Sequence, residues 1–182
     1  MFQESNRWWV TKTIFISNVK PHYYSALYIP LWLNPSVKLL IAWIGKTKEP
    51  AVQTLTEEYL KRISRYADAD GLALKDESAL VKICTQKSGP RYTLIMLDEK
   101  GKQLSSGELA QLIGEHQSRS SSILVFAIGP ADGLTEETRR RASMMLSLGK
   151  MTLAHELARV VLLEQVYRAF TILQGHPYHL GH

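Results

Sequence analysis

One cysteine among 182 residues, Cys84, excludes an intrachain disulfide and any cluster of thiolate ligands. That economy suits a reducing compartment. With no supporting histidine beside it, Cys84 reads as a small, half-buried residue and not as a nucleophile. The chain contains no G-x-G-x-x-G and no G-x-x-x-x-G-K-[ST], so the ordinary dinucleotide fingerprint and the P-loop are both missing. No spacing of His, Cys and carboxylate residues suggests zinc, and no metal is expected. Long apolar runs are missing too. Glu4, Lys12 and Lys20 interrupt the aromatic N-terminal stretch, which is neither a spanning helix nor a convincing signal peptide, so no membrane partner is expected. Charge is only mildly one-sided. The formal net charge is +5, and Arg7, Lys12 and Lys20 against Glu4 place +2 of it in residues 1–36. A surplus of that size permits nucleic acid as a partner without requiring it.

What is present is an ordinary globular composition, 45% hydrophobic and 21% charged, at a length that suits one domain with a real core. Residues 1–36 differ from the rest: they are rich in aromatics and have no sustained period. They read as an N-terminal extension outside the fold, and the preferred explanation is a start at Val37 from a GUG codon. The alternative is an arm packed on the outside. Residues 37–182 read as a single domain. Lys38–Ile44, Tyr92–Leu97 and Ser122–Ile128 are short, nearly continuous apolar runs, as strands covered on both faces require. Weaker strands are expected at Gly71–Leu74 and Met145–Leu148. Between them lie helical patterns at Glu49–Tyr66, with Val52, Leu55, Tyr59 and Ile63 inward, at Asp76–Thr85, and at Gly107–His116 behind a cap at Ser105 or Ser106. A further helix carries Glu136, Glu137 and Arg139–Arg141. Strands alternating with helices predict an α/β fold with a mostly parallel sheet sandwiched by helices.

The longest helical signal runs from Leu153 to Leu173, with Thr152 as its expected N-cap and Gly175 before Pro177 as its stop. Apolar residues occupy too much of its circumference for a helix with one wet face. A second copy of the chain is the economical cover, through a seam containing Val161 and Leu162. The segments LDEKGKQLSS, FAIGPADG and LSLGKMTLAHELARVVLLEQVYRAFTILQGHPYH resemble the RlmH family of large-subunit rRNA methyltransferases, over about Val37 to Tyr178. The family belongs to the SPOUT class. The resemblance therefore implies a C-terminal trefoil knot around S-adenosylmethionine, a homodimer, a cytoplasmic location, and methylation of N3 of a pseudouridine in 23S rRNA on the ribosome. The alternative is a ribosome- or RNA-binding factor that keeps the fold without catalysis.

Open α/β sheets bind ligands beyond the carboxyl ends of their strands. Three such ends are rich in glycine and small polar residues: Leu97-Asp98, Gly129 to Gly133, and Leu148 to Thr152. Taken singly, each is an ordinary strand-to-helix turn. The resemblance assigns the cofactor to Leu97, Gly129, Pro130, Leu148, Gly149, Lys150, Met151, Thr152 and Leu153. Two of these depart from the family pattern: Pro130 stands where a glycine is usual and Gly149 where a serine is usual. His155 and His179 are the candidate proton acceptors, the alternative for His155 being a structural helix-start residue near the seam. Tyr178 is the candidate for stacking on a base. The tail His176-Pro177-Tyr178-His179 is implied to reach the partner's cofactor, although Leu180 replaces the basic residue usual after it. Arg139 and Arg140 are the first candidates for rRNA phosphates. Arg159 and Arg168 near the seam are the next, with intrahelical pairing of Arg168 to Glu164 as the rival reading.

Overall fold

Strand β4, Ile123–Ile128, is apolar at every position because both of its faces are covered. Leu124, Phe126 and Ile128 belong to one buried cluster, and Val125 and Ala127 to another. It is the middle strand of a five-stranded parallel sheet in the computed structural model, which describes residues 38–86, 88–130 and 132–179. The others are β1 (Lys38–Ile44), β2 (Asp68–Leu74), β3 (Tyr92–Gln103) and β5 (Met144–Ser147), and the order across the sheet is β2-β1-β4-β3-β5. Helices α1 (Pro50–Ile63), α3 (Ser106–Arg119) and α5 (His155–Leu173) form one layer, in which α5 packs against both of the others. The opposite layer holds α2 (Glu77–Cys84) and the four-residue α4 (Glu136–Arg139). The readings of residues 1–36, of a start at Val37 and of Leu180 lie outside the described residues.

Local chemistry explains most element boundaries. The Ser105 hydroxyl accepts from the Glu108 amide while the Glu108 carboxylate accepts from the Ser105 amide, a reciprocal cap that starts α3. Strand β2 begins earlier than the apolar pattern suggests, at Asp68, because its register with β1 holds an edge whose polar residues face outward. On α1, Leu55 is 43% exposed instead of inward. Thr56 takes the buried place, its hydroxyl donating to the Val52 carbonyl at 2.7 Å.

The expected cap of α5 is corrected. Ala154, with no side-chain bond, occupies the N-cap, and Thr152 lies in the extended approach to the helix. At the other end Gly175 adopts φ +63, and the Gly175 and His176 amides donate to the Ile172 and Thr171 carbonyls, which closes the helix as its sequence predicts. Leu162 faces the chain's own core at 0% exposure, whereas its neighbour Val161 is 37% exposed and Leu157 54%. Leu162 therefore belongs to the core and not to an outer seam.

The end of β3 positions everything that follows it. Leu146 of β5 is paired with both Leu97 and Lys102, so the segment between them arches over β5. A Cβ on Gly101 would lie 2.6 Å from the Leu146 carbonyl carbon and 2.7 Å from that of Met145. Only glycine lets two backbones pass so closely. This close crossing lies in the half of the chain where the family resemblance implies a threaded fold. Gly101→Ala should therefore cost about 3 kcal/mol, at the upper end of overpacking effects, because backbone has to move. Urea denaturation compared with an exposed-glycine control, Gly107→Ala, measures this.

Candidate functional site

The middle of β3 and the carboxyl ends of β4 and β5 converge on a cavity of about 300 Å³. Leu97 and Asp98 come from the middle of β3, where its pairing with β5 shifts register, and Ile128, Gly129 and Pro130 from the end of β4. Ser147, Leu148 and Gly149 come from the end of β5, followed by Met151, Thr152 and Leu153 from the approach to α5. His155 and Ala158, on the first turn of α5, close one side, and Leu134 and Arg139 close another. Eight of the nine residues expected to hold a cofactor thus share one cavity. Lys150 is the exception: its side chain is exposed and is not part of the lining.

Glycine matters at two lining positions. A Cβ on Gly129 would sit 2.8 Å from Leu134, so the missing side chain lets Leu134 lean across the end of β4. Gly149 has φ +147, a conformation that L side chains rarely adopt, which accounts for glycine where a serine is usual. The Ser147 hydroxyl steadies this bend by donating to the Gly149 carbonyl at 2.9 Å and accepting from its amide at 3.3 Å. Pro130 offers no amide, but its carbonyl accepts from the Gly133 amide at 3.0 Å and closes the turn after β4.

Several lining groups escaped notice in the sequence as site residues, among them Leu134, Ser147, Asp98 as a carboxylate and Arg139 as part of the wall; the last two pair with each other. Their side chains meet at 2.7 Å, with Asp98 8% and Arg139 33% exposed. The other Asp98 oxygen accepts from the Lys100 amide at 2.9 Å, and the Arg139 Nε donates to the Leu134 carbonyl at 3.0 Å. This pair bolts the segment that arches over β5 to the turn after β4. Arg139 was expected to meet rRNA phosphate, but its charge is committed to Asp98. Nothing local signals that partnership, since one residue lies in β3 and the other at the end of α4, far apart in the sequence.

The remaining candidates lie elsewhere. Arg140 is exposed and paired with Glu136 at 3.4 Å. Arg159 is corrected most sharply: it is 1% exposed, its guanidinium sits 4.3 Å from the Trp43 ring, and its Nη2 donates to the Thr47 hydroxyl at 2.8 Å. Burial lowers its pKa, and its Nε lacks a partner. Such a residue has no face to offer RNA. Arg168 pairs with Glu164 at 2.7 Å, as the rival reading has it, and lies 5.0 Å from the Tyr178 ring.

Tyr178 and His179 belong to a 3-10 turn, Pro177–His179, and Tyr178 is not part of the cavity lining of its own chain. The Tyr178 ring meets Tyr167 edge-on at 4.9 Å, and its hydroxyl donates to Glu164 at 3.2 Å. Burial, with Glu164 adding to it, pushes the Tyr178 phenol up to about 12. It serves as a donor and an aromatic surface, not as a base. Glu164 is nine residues beyond His155 on α5, about 14 Å at 1.5 Å per residue. Cys84 is half-buried, and burial raises its thiol to about 11, which leaves it unreactive. No group of three or more His, Cys, Asp or Glu residues that could hold a metal occurs among the described residues. None of the described helices is long and apolar enough to cross a membrane.

The Asp98–Arg139 bolt makes an asymmetric prediction. Asp98→Ala should cost about 2 kcal/mol, and more than Arg139→Gln, because Asp98 also holds the Lys100 amide. A double-mutant cycle read by denaturant unfolding checks the order of the two losses.

Comparison with known proteins places this cavity in context. Residues 37–179 match the family described as "Predicted SPOUT methyltransferase". A protein of Koribacter versatilis named ribosomal RNA large subunit methyltransferase H is 56% identical over 146 residues, which are 80% of this chain and 100% of that protein. One of the same name from Trichlorobacter lovleyi is 41% identical over 152 residues, 79% of this chain and 99% of its own. Among solved structures, the SpoU methyltransferase AviRb of Streptomyces viridochromogenes, in complex with AdoMet, aligns with a TM-score of 0.45. That alignment has 12% identity and covers 74% of this chain and 58% of the other.

Proposed function

The chain belongs to the SPOUT methyltransferase family, and we propose that it transfers the methyl group of S-adenosylmethionine to large-subunit rRNA, at N3 of a pseudouridine. The observation that carries this reading is the cavity where the middle of β3 meets the ends of β4 and β5. Its size lies at the small end of ordinary ligand sites. Its walls combine apolar side chains, from Leu97, Leu134, Leu146, Leu148 and Leu153, with the polar groups of Asp98, Glu99, Asp132, Arg139, Ser147, Thr152 and His155. A nucleoside fits such a setting, with a flat ring between leucines and exposed loop amides at its edges.

Leu97, Gly129 and residues 148–153 would hold the cofactor, which supplies an electrophilic methyl group when bound. The chain's own work is placement. The leucines give the cavity an apolar wall, and the first turn of α5 holds His155 at the margin, within the lining. We assign His155 to receiving the proton that N3 gives up. No cap stabilises that turn from within. It is tied instead through Glu156, whose carboxylate accepts from the Lys48 amide at 2.9 Å and the Glu49 amide at 3.3 Å.

We further propose that the working unit is a homodimer, in the cytoplasm, acting on the ribosome. Leu157 and Val161 on α5 form an exposed apolar strip that a second copy would cover. Tyr178 is held beside Glu164, too far along α5 to serve the cavity of its own chain, which supports a tail that serves the partner's. The rival, a ribosome-binding factor without catalysis, predicts no cofactor binding.

Calorimetry with S-adenosylmethionine separates those two. The native chain should bind, Gly129→Trp should not, and mass spectrometry of rRNA from a deletion strain should lose one methyl group that the restored gene returns. Mixed dimers test the tail: one chain lacks residues 177–182 and its partner carries Gly129→Trp. Crossing restores one working site, because the open cavity receives the intact tail. Verified heterodimers without activity refute it.

The seam has its own test. Val161→Asp should give a folded monomer by light scattering and circular dichroism, since Val161 is outside the core. Leu162→Asp should unfold the chain, because it places an unpaired carboxylate among buried apolar groups. A native chain that is already monomeric at micromolar concentration overturns the dimer.

A further inference from the structure

The arginines that composition offers to RNA are nearly all committed within the chain. Arg139 is held by Asp98, Arg140 by Glu136, Arg141 by Glu137 and Arg168 by Glu164, while Arg159 is buried. A protein that seats rRNA beside its cavity needs exposed cations there, on backbone that is already ordered, so that little entropy is lost on binding. The turn between β1 and α1, Gly45-Lys46-Thr47-Lys48-Glu49, meets both conditions.

Lys46 and Lys48 are exposed, and neither forms an ion pair among the described residues. The turn is fixed at three points. Gly45 turns the chain at φ +100 and donates its amide to the Leu74 carbonyl at 2.9 Å. The Thr47 hydroxyl accepts from Arg159 at 2.8 Å. The Lys48 and Glu49 amides both donate to Glu156, and the Lys48 amide holds that carboxyl below its usual range despite some opposing desolvation. Glu156 and Arg159 lie on the same first turns of α5 that give His155 and Ala158 to the cavity. The turn is therefore pinned to the cavity's margin.

Charge favours an anion here as well. Buried Arg159 forms no ion pair among the described residues, and the Glu156 carboxylate, which lies near enough to favour the Arg159 charge, is itself engaged by two amides. Exposed Glu49 is the opposing charge in the turn itself. We propose that Lys46 and Lys48 form a phosphate-binding strip that seats the rRNA backbone beside the cavity. The inference rests on the rRNA reading above and adds the element that would hold that RNA.

The test is the salt dependence of binding to purified ribosomes, with the full chain. Each lost phosphate contact flattens the log–log slope by roughly 0.7–0.9. Lys46→Gln/Lys48→Gln should flatten it by about 1.5 and weaken low-salt binding on the order of tenfold. Affinity for S-adenosylmethionine by calorimetry should not change. The control removes the same charge at and just beyond the far end of α1, Lys61→Gln/Arg65→Gln, where Lys61 is about 17 Å along the helix from Pro50, and should leave the slope nearly unaltered. An unchanged slope in the first variant, or an equal change in both, overturns the strip. No salt-dependent ribosome binding by the unaltered chain overturns the rRNA reading itself, and the strip with it.

Discussion

The passage of residues 98–103 over β5 is the constraint on which the rest of the structure depends. At Gly101 two backbones lie closer than any side chain would permit. Because the chain arches there, Asp98 is turned back into the cavity and meets Arg139. Because β5 lies beneath the arch, the chain leaves the sheet at Ser147 and lines the cavity with its next residues before α5 can begin. The late start of α5 and the failure of Thr152 to cap it have the same cause. The residues that could have formed a first turn remain extended at the cavity wall.

Helix α5 has two kinds of neighbour, and its polar residues divide accordingly. Glu156 and Arg159 reach the turn before α1, and Gln165 accepts from the Ser106 hydroxyl at the start of α3. These bonds fasten the helix between its two companions, while Leu162, Leu163, Val166 and Phe170 face the sheet. Glu164 and Arg168 hold the tail through Tyr178. The apolar strip of Leu157 and Val161 remains on the outside. The chain itself covers one side of this helix and leaves that strip open.

Much of the site was legible because parallel sheets place their loops predictably. Leu97, Gly129 and the stretch after Leu148 follow apolar runs with small residues, and carboxyl ends of parallel strands gather on one side of a sheet. The arginines were not legible. Arg139 and Arg140 are adjacent, yet one is held in the cavity wall and the other is solvated. Arg159 reads as a surface cation until Trp43 and Thr47, more than a hundred residues away, are seen to enclose it. Val161 and Leu162 read alike as apolar, but one step along a helix turns a side chain by about 100°, which separates an outer strip from the core.

The sequence by itself determined the alternation of strands and helices, the α3 cap, the glycine stop of α5 and the family, because these reside in local patterns of polarity and in contiguous motifs. It also picked out most of the residues that line the cavity, since they sit together where strands end. Only the tertiary structure decided which cations remain free, which face of α5 is covered and how Asp98 comes to meet Arg139. Those outcomes depend on partners brought together by the crossing over β5 and by the layer of α1, α3 and α5. Side-chain pairing between distant segments is a property of the folded arrangement, and no local pattern encodes it.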